Sequence, residues 1–354
     1  MKIPGYQVIF NDYEAQIRNR RLLPGSRLPS ESELCRAYDV SRITVRKALE
    51  MLEERKLVER RPGVGSFVIE SYGPNFTSKR QPVQLGMELF PLGSGLAAAS
   101  YYGPIQTAVH QAARGLDCRI EMMPKADLLH RNTGLDGRIF YTLEPGDPEL
   151  LAKLNESAET PTVLINRIVS HPEIGYVSVD HRDTVRRIVE QLLRNGARNV
   201  AIVGSHHSPE IYSAFFRTQG WRDAYLAVRH EVPEELCCDF LEMNQGFSGI
   251  NRLLANRNYD VLFVAGGNSL PMTLAAVAKT GLSVPEDLSI ICFDNVEESF
   301  LRMQIPLSFI RMPLELMSSQ ATEHLVRLAR GEVSGVLRKI FPASLVATDC
   351  RFIF

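Results

Sequence analysis

At 354 residues the chain is long enough for two or three domains of roughly 150 residues each. Its composition, 45% hydrophobic and 23% charged, is that of a globular protein and excludes a disordered or fibrous chain. The net charge of −1 hides an asymmetry: residues 1–70 carry +3 and the remainder −4, so only the N-terminal segment leans toward a polyanionic partner.

There is no apolar run of 18 residues, and Asn11, Asp12, Glu14 and Arg18 interrupt any signal-peptide core at the start. A soluble, cytoplasmic protein without a membrane partner is expected. The six cysteines (35, 118, 237, 238, 292 and 350) show no metal-ligand spacing, and reduced thiols fit that compartment.

The first informative stretch is Arg27-Leu-Pro-Ser-Glu-Ser-Glu-Leu. Ser30 and Glu33 have the spacing of a capping box, so a short helix is expected to follow Ser30. A turn falls near Tyr38–Val40, and a second helix starts after Ser41, a good N-cap. In Val40-Ser-Arg-Ile-Thr-Val-Arg-Lys-Ala-Leu, residues Val45, Leu49 and Leu52 recur at helical spacing, with Ala48 beside them. Arg42, Thr44 and Arg46 are left near the helix start. A helix that enters the major groove N-terminus first presents such side chains to base edges. Arginine grips guanine through two hydrogen bonds, and threonine meets a base edge or a thymine methyl. Arg60-Arg61-Pro-Gly-Val-Gly then forms a tight basic loop before Ser66-Phe-Val-Ile resumes as a strand. This is a wing, with Arg61, Gly63 and Gly65 placed to press arginine and backbone N–H groups on phosphates or a minor groove.

From Tyr6 to Ile69 the chain closely resembles the winged-helix domain of the GntR family of bacterial regulators. The resemblance rests on Pro24 to Glu31, Val40 to Leu49 and Gly63 to Val68. It implies that Arg42 and Arg46 contact DNA, and Ser30, Ser32 and Ser41 are expected to bind DNA with them. Ser32 stands where the family often has a DNA-contacting arginine.

Residues 71–82 are polar, with Gly73, Pro74 and Pro82 as breakers, and read as a linker between a head at 1–70 and a core at 83–354. In the core, apolar strands alternate with amphipathic helices. Strands are expected at Val83–Phe90, Arg138–Thr142, Pro161–Asn166, Val200–Gly204, Val261–Ala265 and Leu288–Asp294. Helices are expected at Tyr101–Gly115, Thr184–Arg194, Trp221–Arg229, Phe247–Asn256 and Thr273–Thr280, with a glycine-rich and alanine-rich loop at Pro91–Ala99. Continuous apolar strands separated by helices imply parallel sheets covered on both faces, an α/β core behind an α+β head.

This half resembles the effector-binding domain of the lactose and galactose repressor (LacI/GalR) family, whose fold is that of periplasmic binding proteins. The resemblance covers Val83 to Cys350. It is carried by Val177-Ser-Val-Asp180, Gly196 to Gly204, Arg217-Thr-Gln-Gly-Trp221, Gly281 to Asn295 and Phe341 to Val346. Joined to a GntR-type head, it looks like the arabinose-repressor type of GntR regulator. The resemblance implies two subdomains, 83–177 with 299–330 and 178–298 with 331–354, and a small ligand in the cleft between them. It implies that Arg217 and Asp294 contact that ligand, that Tyr101 and Tyr102 offer aromatic faces, and that Phe90 lines the site. Asn268 is expected to stand in for the family's Asn-Asp pair, which Ala265-Gly-Gly-Asn268 lacks in register. Carboxylate, guanidinium and aromatic rings together suit a sugar-like effector.

His181-Arg-Asp183 reads as a helix start and not a kinase loop, and Ser205-His206-His207-Ser208 as a loop or cleft rim and not a metal or hydrolase site. No catalytic residues, metal ligands or cofactor are expected. The sequence points to a ligand-responsive transcriptional regulator, a repressor acting as a homodimer on near-palindromic operator DNA. The competing expectations are a solute-binding transport component and an enzyme on an α/β scaffold.

Overall fold

The computed structural model describes residues 4–18, 22–61, 64–69, 82–89, 95–129, 134–142, 160–207, 212–239, 248–295, 306–346 and 350–352. Of the expected linker at 71–82 all but Pro82 lies outside them, as do Gly63 and Phe90. The chain divides into two units, Met1–Gln81 and Pro82–Phe354.

Among its described residues the first unit holds three helices, α1 (Gly5–Arg18), α2 (Glu31–Tyr38) and α3 (Arg42–Glu54), and a hairpin of β1 (Val58–Arg61) and β2 (Gly65–Val68). Ser30 caps α2 through the expected box: its Oγ accepts from the Glu33 N–H at 3.3 Å, and its own N–H donates to Glu33 Oε2 at 2.7 Å. Asp39 ends α2 in the left-handed conformation at φ 50°, and Ser41 caps α3 by accepting from the Thr44 N–H at 3.3 Å. The stripe Val45, Ala48, Leu49 and Leu52 is buried in one cluster with Ile9, Phe10, Tyr13 and Leu34. The hairpin pairs Val58 with Val68 and Arg61 with Gly65. Arg27 bridges Phe67 on its far side, and this completes a winged helix.

The second unit contains two six-stranded sheets. The first runs β4 (Cys118–Met123), β3 (Val83–Glu88), β5 (Gly137–Phe140), β6 (Thr162–Ile165), β7 (Ile174–Val179) and β13 (Arg338–Phe341), all parallel. The second runs β9 (Cys237–Asp239), β8 (Val200–Ser205), β10 (Val261–Val264), β11 (Ser289–Phe293), β12 (Ser308–Arg311) and β14 (Ser344–Val346). It is parallel except for the antiparallel β12–β14 pair. Each sheet therefore has the same order over its first five strands, with the second strand at one edge and the first strand next to it. The helices are α4 (Gly95–Gly115), α5 (Lys125–Leu128), α6 (His181–Arg194), α7 (Tyr212–Arg229), α8 (Ser248–Asn256), α9 (Leu270–Ala278) and α10 (Leu314–Ala329).

Three expectations need correction. The first long core helix begins at Gly95, not Tyr101, so much of the loop expected at 91–99 is helical; Ala97 to Ala99 are strong helix formers that outweigh the flanking glycines. The helix of the Arg217 motif begins at Tyr212, well before Trp221. The subdomain division also differs. Residues 299–330 were expected with the first sheet, but Ser308–Arg311 pairs with β11 in the second. Residues 331–354 were expected with the second, but Arg338–Phe341 pairs with β7 in the first. Only α10 from this segment packs on the first sheet and α4. The chain thus changes sheets three times, at 179–181, 311–314 and 341–344. These strands are only four residues long, too short for hydrophobic periodicity to assign them to a sheet.

In a parallel sheet of this order, the crevice at the carboxyl ends of the strands flanking the order reversal is the natural ligand position. In the second sheet that reversal lies between β8 and β10, next to Ser205 and Ala265. In the first it lies between β3 and β5. There the buried Glu88 accepts the N–H groups of Tyr141 and Thr142 at 3.1 and 3.0 Å, so its carboxylate ties the two strand ends together.

Candidate functional site

The head offers one polar surface built on the start of α3. The core stripe of that helix faces inward, and Arg42 and Arg46 are left exposed. Arg46 Nε donates to Glu31 at 3.0 Å, and Arg42 Nη2 donates to Ser32 Oγ at 3.4 Å. The start of α2 and the first turns of α3 therefore meet, bringing Ser32, Arg42 and Arg46 together. Arg60 reaches across from the wing and donates to the Arg46 carbonyl at 3.2 Å. Arg61 lies over the Phe67 ring at 4.7 Å and pairs with Glu59. Gly65 has φ 138°, and a Cβ there would lie 2.9 Å from the Arg27 guanidinium, so only glycine fits this turn. The hydroxyls of Ser30 and Ser41 are engaged in caps. Hydrogen bonds from Ser30 hold the Glu33 carboxyl below its ordinary range.

The core offers a second site at the strand ends of the second sheet. Arg217, on α7, is 3% exposed. Its guanidinium donates to His181 Nδ1 at 3.2 Å, to the Ala265 carbonyl at 2.6 Å and to Asp294 Oδ1 at 3.0 Å. It also stacks 3.8 Å over the Phe293 ring. One side chain thereby ties together the start of α6, the end of β10 and the end of β11. Among the described residues three of the five guanidinium N–H groups are used in this way. Asp294 accepts the Gly267 N–H at 2.8 Å through its other oxygen and has a strained φ of 134°. Gly266 lies against both charged groups, and a Cβ there would be 3.6 Å from Arg217 and 3.7 Å from Asp294.

His181 is buried between Tyr212 and Phe293. Its Nδ1 accepts from Arg217, so the proton sits on Nε2. Burial first, and then the Arg217 and Arg167 charges, push its pKa well below the ordinary histidine value, with the Asn166 carbonyl opposing weakly. The ring is neutral at physiological pH. Asn166, with φ 61°, donates from Nδ2 to the Tyr101 hydroxyl at 2.9 Å, while its buried Oδ1 has no hydrogen bond among the described residues. Tyr101 packs edge-on against Tyr102, with centroids 4.9 Å apart, and Tyr102 against Tyr141 at 5.2 Å. Burial raises the Tyr101 pKa, and the Arg167, Asp294 and Arg217 charges all act on it.

The structure thus gathers Tyr101, Arg217 and Asp294 into one polar cluster with Tyr102 at its edge. Asn268 is exposed, beside the Gly267 that Asp294 holds. The sequence reading missed Asn166, Arg167 and His181. For His181 the only signal was its place directly after Val177-Ser-Val-Asp180; for the other two there was none. The cluster can hold a neutral polar molecule by hydrogen bonding. Among the described residues no group of three His, Cys, Asp or Glu stands together to hold a metal ion, and no helix is long and apolar enough to cross a membrane.

Residues 6–68 match the gntR family of bacterial regulatory proteins, and residues 189–347 match a periplasmic binding protein-like domain. The chain is similar to the arabinose metabolism transcriptional repressor of Geobacillus stearothermophilus, at 25% identity over 92% of this chain and 91% of that protein. It is also similar to the probable HTH-type transcriptional repressor ExuR of Bacillus subtilis, at 25% identity over 54% of this chain. That match spans 57% of ExuR, little more than half its length. Among solved structures, the transcriptional regulator CelR in complex with cellobiose superposes with a TM-score of 0.63 at 22% identity, covering 87% of this chain and 90% of that one. This likeness establishes the shared fold.

Proposed function

We propose, from the premise that this chain joins a GntR-family winged helix to a periplasmic-binding-protein-like core, that it is a ligand-responsive transcriptional regulator. It acts as a repressor, binds a near-palindromic operator as a homodimer and works in the cytoplasm. It has no enzymatic activity. A hydroxyl-rich small molecule, a sugar or sugar derivative, enters the core cleft. There it meets the Arg217–Asp294 pair and the tyrosine faces, and shifts the equilibrium between cleft conformations. Arg42, Thr44, Arg46 and Ser32 contact DNA from the helix face, and Arg61, Gly63 and Gly65 from the wing.

The observation that carries this reading is the start of α3, where two exposed arginines stand on a capped helix with its apolar stripe turned inward. Without DNA, Arg46 is held by Glu31. An exposed ion pair of that kind is worth about 0.2–1 kcal/mol. A bidentate contact to a base supplies about 1–3 kcal/mol. DNA therefore wins the arginine from Glu31 at small cost. Gel shifts with DNA upstream of the chain's own gene test the reading: wild type binds a discrete site, and Arg42→Ala and Arg46→Ala lose it. Equal site-specific binding by both variants at matched salt overturns the assignment.

A further inference from the structure

We propose that Ile43 reads the 5-methyl group of a thymine in the major groove, and that the operator half-site therefore requires a thymine at one position. This rests on the regulator reading above. Ile43 is 81% exposed, ahead of Leu23 at 58% and Val64 at 53% among the exposed large apolar residues. It stands between Arg42 and Thr44 in the first turn of α3. At about 100° per residue, its position on the helix lies opposite the midpoint of the buried stripe formed by Val45, Ala48, Leu49 and Leu52. Ile43 therefore projects away from the buried stripe, with Arg46 about 60° round the helix from it and Arg42 and Thr44 about 100° to either side.

An isolated exposed apolar side chain is ordinary on a protein surface. This one is set apart by its neighbours: the polar groups flanking it are those suited to phosphates and base edges. A helical side chain leans toward the helix N-terminus, which is the end that enters the groove. Isoleucine is branched at Cβ and stiff at χ1, so ordering it against DNA sacrifices little rotamer freedom. The only apolar group that base pairs display in the major groove is the thymine methyl; the minor groove displays none. Ile43 has no hydrogen-bonding atoms in its side chain, so it favours a methyl over the polar edges of guanine, cytosine and adenine.

The test uses the full chain. Binding duplexes are selected from a random library, and each thymine required in the selected half-site is replaced in turn by deoxyuridine. That change removes the 5-methyl group and keeps the base pairing. One methyl removed from water predicts about a fourfold loss of affinity at one position for wild type. Ile43→Ala, an exposed change that leaves the stripe intact, should bind the thymine and deoxyuridine duplexes equally. It should also keep the wild-type salt dependence, which reports the phosphate contacts and an intact head. Two results overturn the inference alone: no deoxyuridine-sensitive thymine in an otherwise selected site, or a deoxyuridine loss that persists undiminished in Ile43→Ala, which would give the methyl to another residue such as Thr44. Failure to enrich any duplex overturns the regulator reading, and this inference with it.

Discussion

Removing Asp294 alone should destabilise the core more than removing Asp294 and Arg217 together. The Arg217 guanidinium is 4% exposed and sits 3.0 Å from an Asp294 carboxylate that is itself 18% exposed. Deleting one partner of such a pair leaves a buried, uncompensated charge, at a cost of about 3–5 kcal/mol. Asp294 keeps some contact with solvent, which places the pair near the lower bound. The Gly267 N–H also loses its acceptor, for about another 1 kcal/mol. Asp294→Ala is therefore expected to cost about 4 kcal/mol, or about 8–16 °C in the core's melting temperature at 2–4 °C per kcal/mol for a unit of this size. Asp294→Asn keeps the shape and the Gly267 acceptor and should lose about half as much. In the double variant Arg217→Met with Asp294→Ala, no buried charge remains, so part of the stability returns despite the lost bonds to His181 and Ala265. Calorimetric melting of wild type, Asp294→Ala, Arg217→Met and the double variant gives the cycle, with Asp294→Asn measured alongside. An Asp294→Ala loss below about 1 kcal/mol, or a double variant less stable than the single one, would refute the picture of a guanidinium held by its buried partner.

Three further outcomes follow from the geometry. His181 is held neutral by burial in the fold but protonates near 6.5 when unfolded, so core stability is fully present above that pH and falls as the medium is acidified through it, by up to about 1.4 kcal/mol per pH unit; urea unfolding between pH 7.5 and 5 should show a gentler slope in His181→Gln, and an unchanged slope would show that this ring does not set it. Gly220→Ala would put a Cβ 2.2 Å from the Arg182 carbonyl oxygen where α6 and α7 pack, a clash with backbone that should cost about 3 kcal/mol or more in a thermal melt; a loss below 1 kcal/mol would mean the helices part easily. Ser30→Ala removes the Oγ half of the α2 cap and leaves the residue-30 N–H to Glu33, so it should cost the head about 1 kcal/mol in urea unfolding, with no change expected if the hydroxyl contributes nothing.

The head was legible because each of its signals is local. Ser30 with Glu33, Ser41 with Thr44, and the stripe from Val45 to Leu52 lie within single helices, where spacing translates directly into contacts. The central strands Val200–Ser205, Val261–Val264 and Ser289–Phe293 were legible as unbroken apolar runs covered on both faces. The strands that cross between sheets were not. Ser308–Arg311 and Arg338–Phe341 are short, and their sheet is decided by partners far away in the chain, Ile291 to Phe293 and Tyr176 to Val179. The same distinction runs through the cleft. Arg217 and Asp294 stand in motifs that a sequence displays. Asn166 and His181 are single polar residues just past strand ends, and only the folding of β6, α6 and α7 onto one crevice makes them neighbours of Tyr101 and Arg217. Asn268 shows the converse: proximity along the chain put it in the expected set, yet it is exposed beside the Gly267 contact.

Regulation of the proposed kind requires coupling between ligand binding in the core and operator binding by the head. A thermal-shift screen against monosaccharides and sugar acids finds the effector, because a ligand that binds only the folded core raises its melting temperature by mass action. Operator affinity is then titrated at fixed salt with that effector absent and saturating. Coupling of about 1–3 kcal/mol predicts that affinity changes about 5–150-fold, and that the change is lost in Arg217→Met while ligand-free operator binding persists. An operator affinity that stays the same under a saturating cleft ligand would contradict it.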